Sequence, residues 1–224
     1  MIMVKGVLEL NSLKNEILQS YTVFTRLDSS TLNSIIEKTF VYEANANKLC
    51  FSKDECQGFT LILDGILRIQ YMSENGRELT VYRLGRGDYC HLTIIRLLYG
   101  KEINFEVFSE KSMRLAIIPR EVFIKHLAGN PVFLREIYAD LHEKLDALYK
   151  VINDIGFESV ESRLIAYFKG KSRLSGSSVF ELTREQIGID IGATREAVTR
   201  TLLKMEKEGM VKLSRKKIEW LGRR

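Results

Sequence analysis

Between residues 11 and 38, apolar side chains recur at helical spacing, first Leu13, Ile17 and Leu18, then Leu32, Ile35 and Ile36. Asp28, Ser29 and Ser30 stand between the groups as cap formers, so two short helices are predicted. From about residue 40 to 118 the period shortens. Runs such as Phe59-Thr-Leu-Ile-Leu63, Ile66-Leu-Arg-Ile-Gln-Tyr71 and Leu79-Thr-Val-Tyr-Arg-Leu84 are broken by Asp64-Gly65, Glu74-Asn75-Gly76 and Gly85-Arg-Gly-Asp88. Glycine supplies the positive φ of tight hairpins, and turns at this spacing predict a small antiparallel barrel or roll. Met113 to Ile118 closes the series, and Pro119 starts a helix running to about Leu127.

Pro131 opens a longer helix in which Leu134, Tyr138, Leu141, Leu145, Leu148, Ile152 and Ile155 follow at steps alternating between 4 and 3. A strict 3.5-residue repeat keeps one stripe facing a partner helix, as in a parallel two-stranded coiled coil. The alternative is a core helix packed against its own β-domain. At about 1.5 Å per residue the seam is roughly 32 Å long. Gly156 is expected to end this helix and Ser159 to cap another, Val160 to Phe168, followed by a flexible basic turn over residues 170–178. The tail from Met210 to Leu221 alternates apolar and basic residues around Ser214-Arg215-Lys216, the pattern of a two-stranded wing.

A 224-residue chain suggests two domains. The division read here is a β-rich domain over 1–130, a long helix over 131–156 and a C-terminal domain over 157–224. The start of the chain lacks the apolar core of a signal peptide, and no run reaches the roughly 18 to 20 apolar residues of a membrane span, so a cytoplasmic location is expected. Three cysteines, Cys50, Cys56 and Cys90, form no zinc spacing and are expected to stay thiols. Charge is unevenly spread: residues 1–157 hold 19 Lys/Arg against 20 Asp/Glu, whereas residues 158–224 hold 15 against 9. The excess positive charge therefore sits in the last third and points to a polyanion there.

Within that third, Thr183-Arg-Glu-Gln186 is a capping box opening a short helix with Ile187 and Ile191 turned inward. Gly188 allows close approach of a second helix, Gly192 turns the chain at positive φ, and Thr194 caps a helix from Arg195 to about Glu208. Two helices joined in this way form a helix-turn-helix. Placed at 100° intervals, Val198, Thr201, Leu202 and Met205 share one side, with Arg195, Glu196, Thr199, Arg200, Lys204 and Lys207 opposite. Arg bonds O6 and N7 of guanine and Glu accepts from N4 of cytosine, so Arg195, Glu196, Thr199 and Arg200 are candidate base contacts. Leu203 interrupts the polar side and is expected to lie against the backbone or the wing. Candidate phosphate contacts are Lys169, Lys171, Arg173, Thr183, Arg184, Thr194, Lys204, Arg215 and Lys216, with Lys212 and Lys217 beside them.

The segment Leu182-Thr-Arg-Glu-Gln-Ile-Gly-Ile-Asp-Ile-Gly-Ala-Thr-Arg-Glu-Ala-Val-Thr-Arg-Thr-Leu202-Leu203 resembles the signature helix-turn-helix of the Crp/Fnr family of bacterial regulators. Ser159-Val-Glu-Ser-Arg-Leu-Ile-Ala-Tyr167 resembles the preceding helix, and Asp64-Gly65, Asn75-Gly76 and Gly87-Asp88 fall where the family's cyclic-nucleotide-binding-type roll has its turns. The resemblance implies an α+β protein: an N-terminal antiparallel β-roll (a cupin-like jelly roll) with flanking helices, a long dimerisation helix, and a C-terminal winged helix-turn-helix. It implies a homodimer on an inverted repeat in double-stranded DNA, with RNA polymerase as a partner. Arg195, Glu196 and Arg200 match the base-contacting residues of the cyclic-AMP-responsive branch, which implies a half-site resembling TGTGA.

The sensor departs from that branch. Where a Gly-Glu pair should bind the ribose stand His91 and Leu92, and the stretch from Lys101 to Val107 has no Arg for a cyclic phosphate. A buried phosphate would be uncompensated, so cyclic AMP is not expected. Too few cysteines are present for a four-thiolate iron-sulfur cluster. Tyr89, Cys90 and His91 are the candidate effector site, at the mouth of the roll. Cys90-His91 could serve as a haem or redox element; the plainer reading is a half-buried thiol and a surface imidazole at a strand end. The cofactor is unknown, and the effector is an unidentified small molecule or redox signal acting through a hinge around Asn153 to Phe157. His126 and His142 lie on helices without partner clusters. An enzyme, or a nucleotide-binding module of one, is the rival class, but no Gly-rich phosphate loop, nucleophile with a base, or metal-spaced His/Cys set supports it.

Overall fold

The computed structural model describes residues 7–46, 49–51, 58–100, 105–215 and 217–222. The chain divides into two compact units, Met1–Gly76 with Tyr82–Asp146, and Arg77–Val81 with Ala147–Arg224. The first begins with α1 (Val7–Ser20), a 3₁₀ turn (Thr22–Arg26) and α2 (Ser29–Lys38). Asp28 caps α2 by accepting from the Thr31 amide at 2.9 Å, as its place before the apolar triad predicts.

Strands β1 (Phe40–Ala44), β2 (Leu49–Phe51), β3 (Gly58–Asp64), β4 (Leu67–Met72), β5 (Glu78–Leu84), β6 (Phe105–Ser109) and β7 (Met113–Pro119) form two sheets, ordered β1-β7-β3 and β2-β6-β4-β5. Every resolved pairing between them is antiparallel. The run Phe59 to Leu63 is continuously buried rather than alternating because both of its faces are covered. Phe59, Leu61 and Leu63 pack with helical residues such as Phe24, Ile35 and Phe123, while Ile62 joins Leu67, Ile69, Leu115 and Ile117 inside the roll. Gly65 turns at φ +90°, with the Met113 Cα 2.8 Å from where a Cβ would stand, so this turn accepts only glycine.

Two elements exceed the sequence reading. Residues between the Gly-Asp turn and Met113 supply α3 (His91–Tyr99), as well as β6. After α4 (Arg120–His126), α5 runs as one helix from Pro131 to Phe157. Gly156 does not end it; it lies inside the last turn, in open space. The inner stripe of α5, Phe133 and Ile137, packs on the first unit's core, with Phe133 edge-on to Phe59 at 5.5 Å. The heptad stripe stands largely outside: Tyr138, Leu145 and Ile152 are 68%, 39% and 64% exposed. One face of the helix thus packs on its own β-domain, as the second alternative has it, and the heptad stripe is left exposed.

The second unit contains α6 (Val160–Ser175), β8 (Val179–Phe180), α7 (Arg184–Ile191), α8 (Arg195–Lys207), β9 (Val211–Ser214) and β10 (Lys217–Trp220). Ser159 caps α6, but the helix does not stop at Phe168. It continues through Gly170 to Gly176, which closes it at φ +67°. The basic turn expected over 170–178 is therefore mostly helix, because a single Gly within a helix costs only about 1 kcal/mol and Phe168 anchors the segment. The wing has a third strand, in the order β8-β10-β9. Phe168 lies between Phe180 and Trp220, stacked on each at 5.8 Å, and these rings centre the core that holds α7 and α8.

Candidate nucleic-acid interface

Thr183 accepts from the Gln186 amide at 3.0 Å and Thr194 from the Ala197 amide at 3.2 Å, so both helices of the pair begin on side-chain caps. Gly188 sits where α7 meets the following turn: a Cβ there would come 2.5 Å from the Ala193 carbonyl oxygen. Its own carbonyl accepts from the Ala193 amide at 2.9 Å. Gly192, at φ +66°, ends α7. Sequence position alone had assigned these roles.

Val198, Leu202 and Met205 are fully buried on one side of α8. The opposite side is a shallow groove lined by Arg195, Glu196, Thr199, Arg200, Leu203, Lys204 and Lys207. Arg195, Glu196 and Arg200 are exposed, and among the described residues no hydrogen bond or ion pair engages their side chains. Three long polar groups thus project from the first turns of a rigidly anchored helix with their hydrogen-bonding capacity unspent. Thr199 is half-buried and donates its hydroxyl to the Arg195 carbonyl at 2.8 Å, leaving only acceptor capacity outward. Leu203 is 47% exposed and lies on the same face as Arg195, Glu196 and Arg200.

The expected phosphate contacts fall into distinct settings. Lys169, Arg173, Arg184 and Arg215 are exposed, and Thr183 and Thr194 occupy the two caps. Lys171 is half-buried with its ammonium 5.3 Å from the Tyr167 ring centre. Lys204 is not a free cation. It donates to Glu161 at 2.7 Å and lies 3.7 Å from Glu208, and hydrogen bonding to Glu161 first, then both carboxylates, raises its pKa. Lys212 is exposed, Lys217 lies 3.2 Å from Glu181, and Lys216 lies outside the described residues.

Two positioning side chains escape a reading by motif. Arg163 on α6 donates through Nη1 to the carbonyls of Ile191 and Gly192, binding the end of α7 to the helix before it. Glu206 on α8 accepts from the Leu213 amide at 2.8 Å, fixing the wing to α8. The signal for Arg163 was its place in the family-like helix; its use of backbone acceptors 28 and 29 residues away has no local pattern.

In the first unit Tyr89, Cys90 and His91 are buried, not placed at an open mouth. The imidazole is neither on the surface nor at a strand end: Cys90 is the N-cap of α3 and His91 is 6% exposed. His91 Nε2 lies 3.3 Å from the Ile137 carbonyl and Nδ1 3.3 Å from Asp140 Oδ2. Nε2 thus faces a carbonyl and Nδ1 a carboxylate of the chain itself, and neither is presented to a haem or metal. Cys56 lies outside the described residues. Among those described, no three His, Cys, Asp or Glu side chains gather as a metal site, and no helix is long and apolar enough to cross a membrane.

Residues 162–223 match the family model of the Crp-like helix-turn-helix domain. The chain is 22% identical over 166 residues to the transcriptional regulator SdrP of Thermus thermophilus, a match covering 71% of this chain and 77% of that protein. It is equally identical over 170 residues to the cAMP-activated global transcriptional regulator CRP of Escherichia coli, covering 73% and 80%. A solved regulator of the Crp/Fnr family from Eubacterium rectale superposes with a TM-score of 0.84 at 24% identity, covering 91% of this chain and 94% of that one. The likeness establishes a shared arrangement of antiparallel sheets, long helix and helix-turn-helix.

Proposed function

We propose that the chain is a transcriptional regulator of the Crp/Fnr family, the reading that its match to the Crp-like helix-turn-helix domain and its curated relatives support, and that it reads double-stranded DNA as a homodimer, in the cytoplasm, through α8. The observation that carries this reading is the unspent trio Arg195, Glu196 and Arg200 on the exposed face of a helix whose other face is fully buried. Arg195 and Arg200 donate bidentately to guanine edges and Glu196 accepts from cytosine, with the N-terminal end of α8 entering the major groove. Lys169, Arg173, Arg184, Arg215 and the two cap residues contact phosphates and set register without carrying sequence information.

The exposed heptad stripe of α5 supports pairing of two copies, since each Tyr138, Leu145 and Ile152 would leave water against its twin. Two reading helices then meet half-sites about 34 Å apart. RNA polymerase is the partner that a regulator of this kind addresses. Cyclic AMP is not the effector: the positions expected to hold ribose carry His91, which is buried and engaged, and Leu92, while residues 101–107 contain no Arg. In the test, full-length protein is titrated against an inverted repeat of TGTGA-like half-sites and against a scrambled duplex, at several salt concentrations. Preference for the repeat and a steep loss of affinity with salt are expected. Equal, salt-insensitive binding to both duplexes overturns the reading.

A further inference from the structure

The sensor unit encloses a four-membered cluster that the DNA interface does not use. Lys144 on α5 donates to Asp88 at 2.7 Å and lies 3.4 Å from Asp140, while His91 lies between Asp140 and the Ile137 carbonyl. Three of these side chains, His91, Asp140 and Lys144, are at most 13% exposed, and Asp88 is one-third exposed. The cluster joins two stretches distant in sequence: the Gly-Asp turn leading into α3, and α5.

Two independent features make it incomplete without a proton. The first is geometric. Both ring nitrogens of His91 face acceptors, a carbonyl and a carboxylate, yet a neutral imidazole has only one N–H. His91 Nδ1 and Asp140 Oδ2 are also the two atoms of the cluster left buried without any hydrogen-bond partner. At 3.3 Å they are one proton from satisfying each other. The second is the charge sum. Two carboxylates, Asp88 and Asp140, face one ammonium, Lys144, so the cluster is neutral only when the His91–Asp140 pair carries one further proton.

We propose that the His91–Asp140 pair is a proton-binding site of the sensor, and that occupying it fastens the Gly85–His91 segment to α5. The step moves one proton from hydronium to the pair: the donor's O–H bond breaks, the second imidazole N–H bond forms, and both ring nitrogens then donate, to Asp140 Oδ2 and to the Ile137 carbonyl. With the proton gone, the one remaining N–H can serve only one of the two acceptors, so His91 loses either its Asp140 or its Ile137 tie to α5 while Lys144–Asp88 remains. Imidazole is the side chain whose charge changes between pH 5 and 8, so acidity in that range becomes the signal.

The groups facing the pair are consistent with that assignment. From α5 these are Asp140, Lys144 and Glu136; from the turn, Asp88, Tyr89 and Cys90; from β5, Tyr82. Burial keeps the phenols of Tyr82 and Tyr89 neutral well above the usual range. Burial also pushes the Asp140 carboxyl upward, against the pull of Lys144 and His91. Burial opposes the charge on Lys144, but its bonds to Asp88 and Asp140 outweigh that and keep it a cation. Tyr82, Tyr89 and Lys144 each keep one protonation state, which leaves the pair as the proton acceptor of the cluster.

The proposal rests on the regulator reading for its output, because α5 continues covalently into the DNA-binding unit, and its test separates the two. In full-length protein with labelled histidine, the ring signals of His91, His126 and His142 are followed by NMR from pH 5.5 to 8.5, with His91→Gln identifying the buried ring. Operator affinity is measured over the same range at fixed ionic strength for wild type and Asp140→Asn. The expected result is a His91 ring that titrates within the range, operator affinity about fivefold or more tighter at the acid end, and a flat profile for Asp140→Asn. A His91 ring that holds one protonation state throughout overturns the proposal, and this readout survives misfolding of either variant. Wild-type affinity that does not change with pH also overturns it. Absence of operator binding at every pH, with a titrating ring, instead removes the DNA reading and leaves the proton site standing.

Discussion

Replacing Gly188 with Ala sets two opposing effects against each other, and the geometry decides the sign. Alanine in a helix is favoured over glycine by roughly 0.5–1 kcal/mol. The added Cβ, however, would lie 2.5 Å from the Ala193 carbonyl oxygen. That atom belongs to the backbone of the turn joining α7 to α8 and accommodates the methyl only if the turn moves by most of an ångström. Overpacking of this kind costs roughly 1–3 kcal/mol, leaving a net loss of about 1–2 kcal/mol. For a unit of this size each kcal/mol lowers Tm by about 4–8 °C.

The chain's single tryptophan, Trp220, is buried against Phe168, so its fluorescence reports melting of this unit alone. Gly170→Ala is the control: it lies inside α6 with nothing within 4 Å of an added Cβ, and it should gain the helical preference without the clash. Gly188→Ala should therefore melt earlier than wild type and Gly170→Ala later. If both substitutions raise Tm together, the close approach at Gly188 is not a constraint and the account of how α7 and α8 are locked is wrong.

Removing the Arg163 guanidinium by Arg163→Met leaves the Ile191 and Gly192 carbonyls without their charged donor; a loss of about 1.5–3 kcal/mol is expected in the same Trp220 melt, and unchanged stability would deny it a positioning role. Placing a charge on the outer stripe, Leu145→Glu or Ile152→Glu, should convert a dimer to a monomer in analytical ultracentrifugation while leaving the Trp220 melt intact, and a dimer that persists removes α5 as the interface. The Asp28 carboxyl is held below the usual range by hydrogen bonds from Ser30 and then Thr31, so its contribution to α2 is present above about pH 4 and fades as pH falls through its folded value. In acid titration of the sensor unit, Asp28→Asn should show a shallower loss of stability than wild type, and identical titrations would contradict the cap's role.

The DNA-binding half was legible because its constraints are local. Threonine caps, a glycine at positive φ and one buried stripe are each written within a few residues of where they act, and Thr183, Gly192, Thr194 and Val198 stand where the pattern put them. The roll was legible through its turns for the same reason. The stretch from His91 to Tyr99 was not, because a short apolar run such as Leu92, Ile94, Ile95, Leu97 and Leu98 fits a strand or a helix equally. Gly156 and Gly170 misled by the general rule that glycine punctuates, since a well-anchored helix tolerates one in its interior. The quartet of Asp88, His91, Asp140 and Lys144 was invisible in principle. Its members are brought together only by the packing of α5 on the roll, and no spacing along the chain records that.

The measurement that bears most directly on DNA reading by α8 is the sequence preference of wild type compared with Arg200→Ala, each selected against random duplex DNA at one salt concentration. The account predicts that wild type enriches an inverted repeat with guanine in each half-site. Arg200→Ala should lose discrimination at one position, by about 1–3 kcal/mol or 5- to 150-fold, and keep the rest. No enriched repeat from wild type, or the same preference from both proteins, would contradict it.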